Sequence, residues 1–199
     1  MSGAPAAPVV SVVAIGASAG GVPALVRIAS ALPAGFAPAV LVVLHVPPDA
    51  RGEHFAATIG ARCALPTYVP DAGEPVRAGA VGLAPPGYHL HVERDRALAL
   101  SLDEPVCWSR PSVDVLFESV ARAYRAEALA IVLSGANGDG AEGARRVRAS
   151  GGRCWVQAPD DAAMPAMPRA AIERAGADAV LPASAIADAL CRRDWAATR

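Results

Sequence analysis

Ser18 in "GASAG", His45 in "VVLHVPP" and Asp139 in "SGANGDG" lie far apart in the chain, yet each follows an apolar run. A hydroxyl nucleophile, an imidazole base and a carboxylate that orients the imidazole are together the parts of an acyl-transfer triad. Ser18 stands in a G-x-S-x-G arrangement with only small residues around it. Between a strand and a helix, such a turn bends sharply and lifts a hydroxyl clear of its neighbours. The same turn also suits an anion, held by free N–H groups at a helix N-terminus. Ser18 occupies the second glycine position of G-x-G-x-x-G, and the chain has no lysine for a Walker A loop. Taken alone, Ser18 leaves the nucleophile and the anion-binding or structural turn both open.

The partners are individually ambiguous too. A histidine closing an apolar strand is often a satisfied core or rim residue. An aspartate in a glycine-rich turn is often an Asx-turn former, and Asp160 and Asp161 in "QAPDD" are rivals for its place, read first as surface caps. His89 and His91 alternate along one face of an expected hairpin strand, read as solvated rather than metal-binding because no carboxylate or cysteine recurs at ligand spacing. His54, like His89 and His91, is a weaker candidate than His45. Tyr88, Trp108 and Arg110 are candidates for lining a groove, with a structural role equally open. No metal site is expected.

The elements that must position these groups are legible in outline. Buried strands are expected at 9–15, 39–45, 128–133 and 153–157, with a weaker one at 179–181; all are β-branched-rich apolar runs bounded by Gly or Pro. Helices are expected at 23–32, 112–124, 143–149, 168–175 and 183–191, the second with a clean apolar stripe at 113, 116, 117, 120 and 121. Strands apolar on both faces that alternate with helices imply an α/β fold: a doubly wound, mostly parallel sheet with helices on both faces. The stretch 68–102 breaks the rhythm and reads as an antiparallel excursion, with a β-hairpin over 88–100 turning at Arg94–Arg96. In open parallel sheets ligands bind outside the carboxyl ends of the strands, and that is where Ser18, His45 and Asp139 fall.

With 199 residues and a formal net charge of −1, the chain is expected to form one domain over 9–192, between a disordered tail at 1–8 and a C-terminal tail at 193–199. A pI near 6.4 leaves no electrostatic footprint for nucleic acid, and no basic run addresses an anionic membrane surface. No signal peptide or membrane-spanning run is apparent, so a cytoplasmic protein is expected. Cys63, Cys107, Cys154 and Cys191 form no C-x-x-C pair and read as reduced, mostly buried thiols.

The stretches "AIGASAGG", "VVLHVPP", "RPSVDVLFESVA", "IVLSGANGDGAEG" and "MPAMPRAAI" resemble, in order, the catalytic domain of CheB-type protein-glutamate methylesterases of bacterial chemotaxis, over about Val10 to Leu190. The resemblance implies hydrolysis of glutamate methyl esters on chemoreceptor cytoplasmic helices, with glutamine deamidation in some members and no cofactor. It assigns the nucleophile to Ser18, the base to His45, the aspartate to Asp139, and the oxyanion donors to the backbone N–H groups of Ala19 and Ala136. Ala19 stands where the family commonly has threonine, and Ala136-Asn137-Gly138-Asp139-Gly140 replaces its methionine followed by Gly-Asn-Asp-Gly. Because Ser18 lies close to Met1, no receiver domain is expected ahead of it, and a separate receiver protein becomes a candidate partner. The rivals are a non-catalytic docking module, a small-ester hydrolase of the same fold, and an anion-binding domain.

Overall fold

The computed structural model describes residues 9–193 and Trp195; the expected tail at 1–8, and most of that at 193–199, lies outside the described residues. The chain begins with β1 (Val12–Ala17), α1 (Val22–Ala31), β2 (Ala39–Leu44) and α2 (Gly52–Gly60), followed by the short strands β3 (Thr67–Tyr68) and β4 (Val81–Leu83). A hairpin, β5 (His89–Val92) and β6 (Leu98–Ser101), precedes α3 (Val113–Tyr124). Then come β7 (Ala128–Val132), α4 (Ala141–Ala149), β8 (Arg153–Gln157), α5 (Ala166–Ala175), β9 (Ala179–Leu181) and α6 (Ala183–Arg192).

Seven strands form one sheet in the order β3-β4-β2-β1-β7-β8-β9, and every pairing in it is parallel. The α/β reading therefore holds, with the antiparallel hairpin outside the sheet. The stretch 68–102 is less of an excursion than expected. Its β4 pairs directly with β2, and β3 extends the sheet beyond it. Both strands are too short to show a period, and α2 also went unread in the sequence.

Alternation along β1 divides the core. Val13, Ile15 and Ala17 face α1, α2 and α6, whereas Val12 and Ala14 face α3, α4, α5 and the hairpin. Trp195 packs against Phe36 and Trp155, with ring centroids 6.3 and 6.5 Å away. The four cysteines are unpaired, but only Cys154 is buried; Cys107, on the loop between β6 and α3, is exposed, which corrects the expectation of mostly buried thiols.

The sheet winds outward in both directions from β1, to β2 on one side and β7 on the other. Loops leaving those strands diverge and open a crevice at the carboxyl edge. Helix α3 seals one side of it, capped by Ser112, whose side chain accepts from the Val115 N–H. Its first residue, Val113, packs so closely on β1 that a Cβ on Gly16 would overlap the Val113 methyls. We expect Gly16→Ala to destabilise the protein by about 1–3 kcal/mol through overpacking. Gly35→Ala, with nothing within 4 Å of the added carbon, should be near neutral in the same denaturant unfolding experiment.

Candidate active site

Ser18 is held from both sides by Ser134. The Ser18 N–H donates to the Ser134 carbonyl at 2.9 Å, and the Ser134 hydroxyl donates to the Ala19 carbonyl at 2.8 Å. Gly20, at φ +70°, lets the chain turn there, and the Gly21 N–H returns to the Ser18 carbonyl at 2.9 Å. Any side chain at Gly135 would overlap Met167 and come within 2.9 Å of the Ser18 Cβ, so the 134–138 loop passes directly over the serine. The next strand end continues the ladder: the His45 N–H donates to the Ala17 carbonyl at 3.0 Å, which sets the imidazole beside Ser18.

The structure brings Ser18, His45 and Asp139 into one row. Ser18 Oγ lies 3.2 Å from His45 Nδ1, and His45 Nε2 lies 2.8 Å from Asp139 Oδ2. The imidazole is 10% exposed and Asp139 is fully buried. A carboxylate only accepts, so Nε2 carries the hydrogen and the Nδ1 lone pair faces the serine. A second hydroxyl, Ser109 Oγ, lies 3.3 Å from the same Nδ1. Ser109 and Ser134 were not among the sequence candidates. Nothing local marks them, because only the fold carries them to Ser18 and His45.

Asp139 is set into the N-terminus of α3. Its oxygens accept the Ser112 hydroxyl at 2.9 Å, the Val113 N–H at 2.7 Å and the Asp114 N–H at 2.9 Å, besides His45. Burial pushes this carboxyl up, but the hydrogen bonds from His45, Asp114 and Val113 outweigh it and hold it below the usual carboxylate range. The helix dipole favours an anion at the same place. Neighbouring Asp114 shows the opposite balance. Burial, with the Asp139 charge added, raises its carboxyl to about 6 against the Gly143 N–H that it accepts.

Cys107 Sγ and the carboxylate oxygens of Asp114 and Asp139 converge to within 4.8 Å of one another. Asp139 already has four donors on its two oxygens, which leaves this trio short of a free ligand set. Partial desolvation and the two carboxylates also raise the thiol of this largely exposed Cys107, which makes it a poor rival nucleophile. The N–H groups of Ala19 and Ala136, both on exposed residues beside Ser18, have no hydrogen-bond acceptor among the described residues. An open cleft of about 620 Å³ adjoins, lined by Cys107, Asp114, Gly138, Glu142, Ala170, Glu173 and Arg174.

The remaining candidates take other places. Arg110 donates to the carbonyls of Leu102 and Asp103 and so ties a loop rather than lining a groove. Trp108 is fully exposed at the tip of a tight turn closed by Val106 and Ser109, and Tyr88 is exposed as well. Asp161 accepts from the Gln157 amide and the Ala183 N–H, which makes it a structural cap. His54 is exposed on α2. The pair His89 and His91 departs from the solvated face expected of it: His89 is fully buried and His91 half-buried, because the 102–112 segment folds back over that strand.

Asp114 gives a test of these electrostatics. Its folded value lies above the ordinary 3.8, so its contribution to stability is complete below pH 4 and is lost as pH rises through 6. The unfolding free energy of Asp114→Asn, relative to the parent protein, should therefore rise by about 1–3 kcal/mol from pH 4 to pH 8. Denaturant titrations at the two pH values measure this, and an unchanged difference would contradict it.

Residues 13–190 match the family model described as CheB methylesterase. A putative protein-glutamate methylesterase/protein-glutamine glutaminase of Leptospira interrogans is 37% identical over 182 residues, spanning 92% of this chain and 94% of that protein. Relatives named protein-glutamate methylesterase/protein-glutamine glutaminase from Symbiobacterium thermophilum and Cupriavidus metallidurans are 39% and 40% identical, and the match spans only 49% and 52% of their lengths. Among solved structures, the CheB methylesterase catalytic domain of Thermotoga maritima superposes with a TM-score of 0.88 at 30% identity, covering 94% of this chain and all of that one. With residues 13–190 matched by the family model and its fold superposing over 94% of its length, the chain belongs to the CheB methylesterase family.

Proposed function

We propose that this protein hydrolyses glutamate methyl esters on the cytoplasmic helices of chemoreceptors, through a serine-bound acyl intermediate. The observation that carries the proposal is the row Ser18–His45–Asp139, with its lone pair aimed at the serine hydroxyl. The names of the relatives, protein-glutamate methylesterases, support the substrate class.

In the first step Ser18 Oγ attacks the ester carbonyl carbon and its proton passes to His45 Nδ1. Asp139, already accepting Nε2–H, stabilises the imidazolium that results. The oxyanion is met by the N–H groups of Ala19 and Ala136, each donor worth about 10²–10³ in rate. Collapse breaks the bond to methoxide, which takes the Nδ1 proton and leaves as methanol. Water then gives a proton to Nδ1 as its oxygen attacks the acyl-serine. Collapse breaks the bond to Ser18 Oγ, which takes the Nδ1 proton back, and the glutamic acid product ionises to the carboxylate. No step calls on a metal or an organic cofactor. The same intermediate forms from a glutamine side chain with ammonia leaving, and the relatives' second name, protein-glutamine glutaminase, supports that parallel activity.

Methanol release from a methylated receptor cytoplasmic fragment tests the proposal. Ser18→Ala should lower turnover at least about a thousandfold with an unchanged circular dichroism spectrum. Asp139→Asn should cost about 10⁴-fold by mispairing the imidazole. Unchanged turnover in folded Ser18→Ala would overturn the assignment.

A further inference from the structure

His89, at the start of the hairpin, is fully buried with both ring nitrogens engaged, and nothing in the acyl-transfer chemistry uses it. Its Nδ1 accepts the Ser112 N–H at 3.1 Å, and its Nε2 faces the Glu104 carbonyl at 3.2 Å. A backbone N–H can only donate and a carbonyl can only accept. The ring is therefore neutral, with its hydrogen on Nε2 and a lone pair on Nδ1. A leucine could fill the space, but it would leave the Ser112 N–H buried without an acceptor.

Ser112 is where this matters. It caps α3, its hydroxyl donates to Asp139 Oδ1, and the next two N–H groups, of Val113 and Asp114, donate to the same carboxylate. Three consecutive residues thus form the cradle, and His89 fixes the backbone of the first. A continuous chain of hydrogen bonds runs from His89 through Ser112, Asp139 and His45 to Ser18.

We infer that His89 is a positioning residue, which holds the Asp139 carboxylate, and through it the His45 imidazole, in register with Ser18. The inference rests on the proposed esterase reading of that row. Its physical basis is that a misplacement of about 1 Å in a reacting group can cost about a hundredfold in rate.

Asparagine and glutamine separate the two nitrogens. His89→Asn puts an amide oxygen near the place of Nδ1 and can still accept from Ser112, whereas His89→Gln reaches Glu104 and leaves Ser112 unpaired. Two readouts are needed on the full chain, both referred to folded protein by circular dichroism. One is kcat and KM for methanol release; the other is the downfield proton resonance of the His45 Nε2–H, assigned by its loss in His45→Ala. We expect His89→Asn to keep kcat within about threefold, and His89→Gln and His89→Leu to lose about 10–100-fold in kcat with KM nearly unchanged. The imidazole resonance should persist in the Asn variant and shift or broaden in the Gln variant. A merely structural role would lower thermal stability in all variants without separating Asn from Gln in kcat. Equal kcat in those two variants would overturn the inference, and if His89→Leu does not fold, that pair alone decides. Should the parent protein release no methanol, the esterase reading fails while the resonance still decides: a difference between Asn and Gln supports the positioning role, and none overturns it.

Discussion

A single buried anion organises this molecule's carboxyl edge. Asp139 is fully buried, and an unpaired carboxylate in such a place would cost several kcal/mol. It persists because four donors converge on it: one hydroxyl, two backbone N–H groups from the first residues of α3, and the His45 imidazole. The loop after β7, the start of α3 and the end of β2 are thereby tied to one pair of oxygens. Remove the charge and three segments lose their common point; remove a donor and the charge is less well compensated in a low-dielectric interior. His45 is thus held in one tautomer by the same interaction that holds α3 in place.

The sheet supplies the rest of the geometry. Strands β2, β1 and β7 are neighbours, and parallel strands lie about 4.8 Å apart, so residues leaving their ends are close before any side-chain contact is made. Close approach then needs small residues at particular points. Gly16 admits Val113 against β1, and Gly135 admits both Met167 and the serine turn. Ser134 fixes the peptide groups around Ser18, and Ser109 brings a second hydroxyl to the same imidazole nitrogen. Both serines restrict where the imidazole and the turn can go.

Much of this was legible in the sequence, for reasons that differ by element. The long strands showed themselves because burial on both faces demands uninterrupted apolar runs, and the α3 stripe because a helix with one buried face repeats every turn. Ser18, His45 and Asp139 stood out because all three lie at or just beyond the ends of such runs, though each alone had a bland alternative. The two- and three-residue strands β3 and β4 carry no period, and their place in the sheet is set by pairing with β2. His89 looked like a surface residue because its strand alternates; the 102–112 segment that covers it is distant in pattern from anything a period can show. Ser109, Ser134 and the role of Ser112 toward Asp139 are products of packing between segments.

Covalent trapping of the resting protein with a fluorophosphonate reaches the central claim most directly, since only a hydroxyl whose proton can pass to a carboxylate-anchored imidazole reacts quickly. Mass mapping should find the phosphonyl adduct on Ser18, with labelling lost in His45→Ala and strongly slowed in Asp139→Asn. An adduct on Ser109 or Ser134 instead, or labelling of Ser18 that is indifferent to His45, would contradict the account.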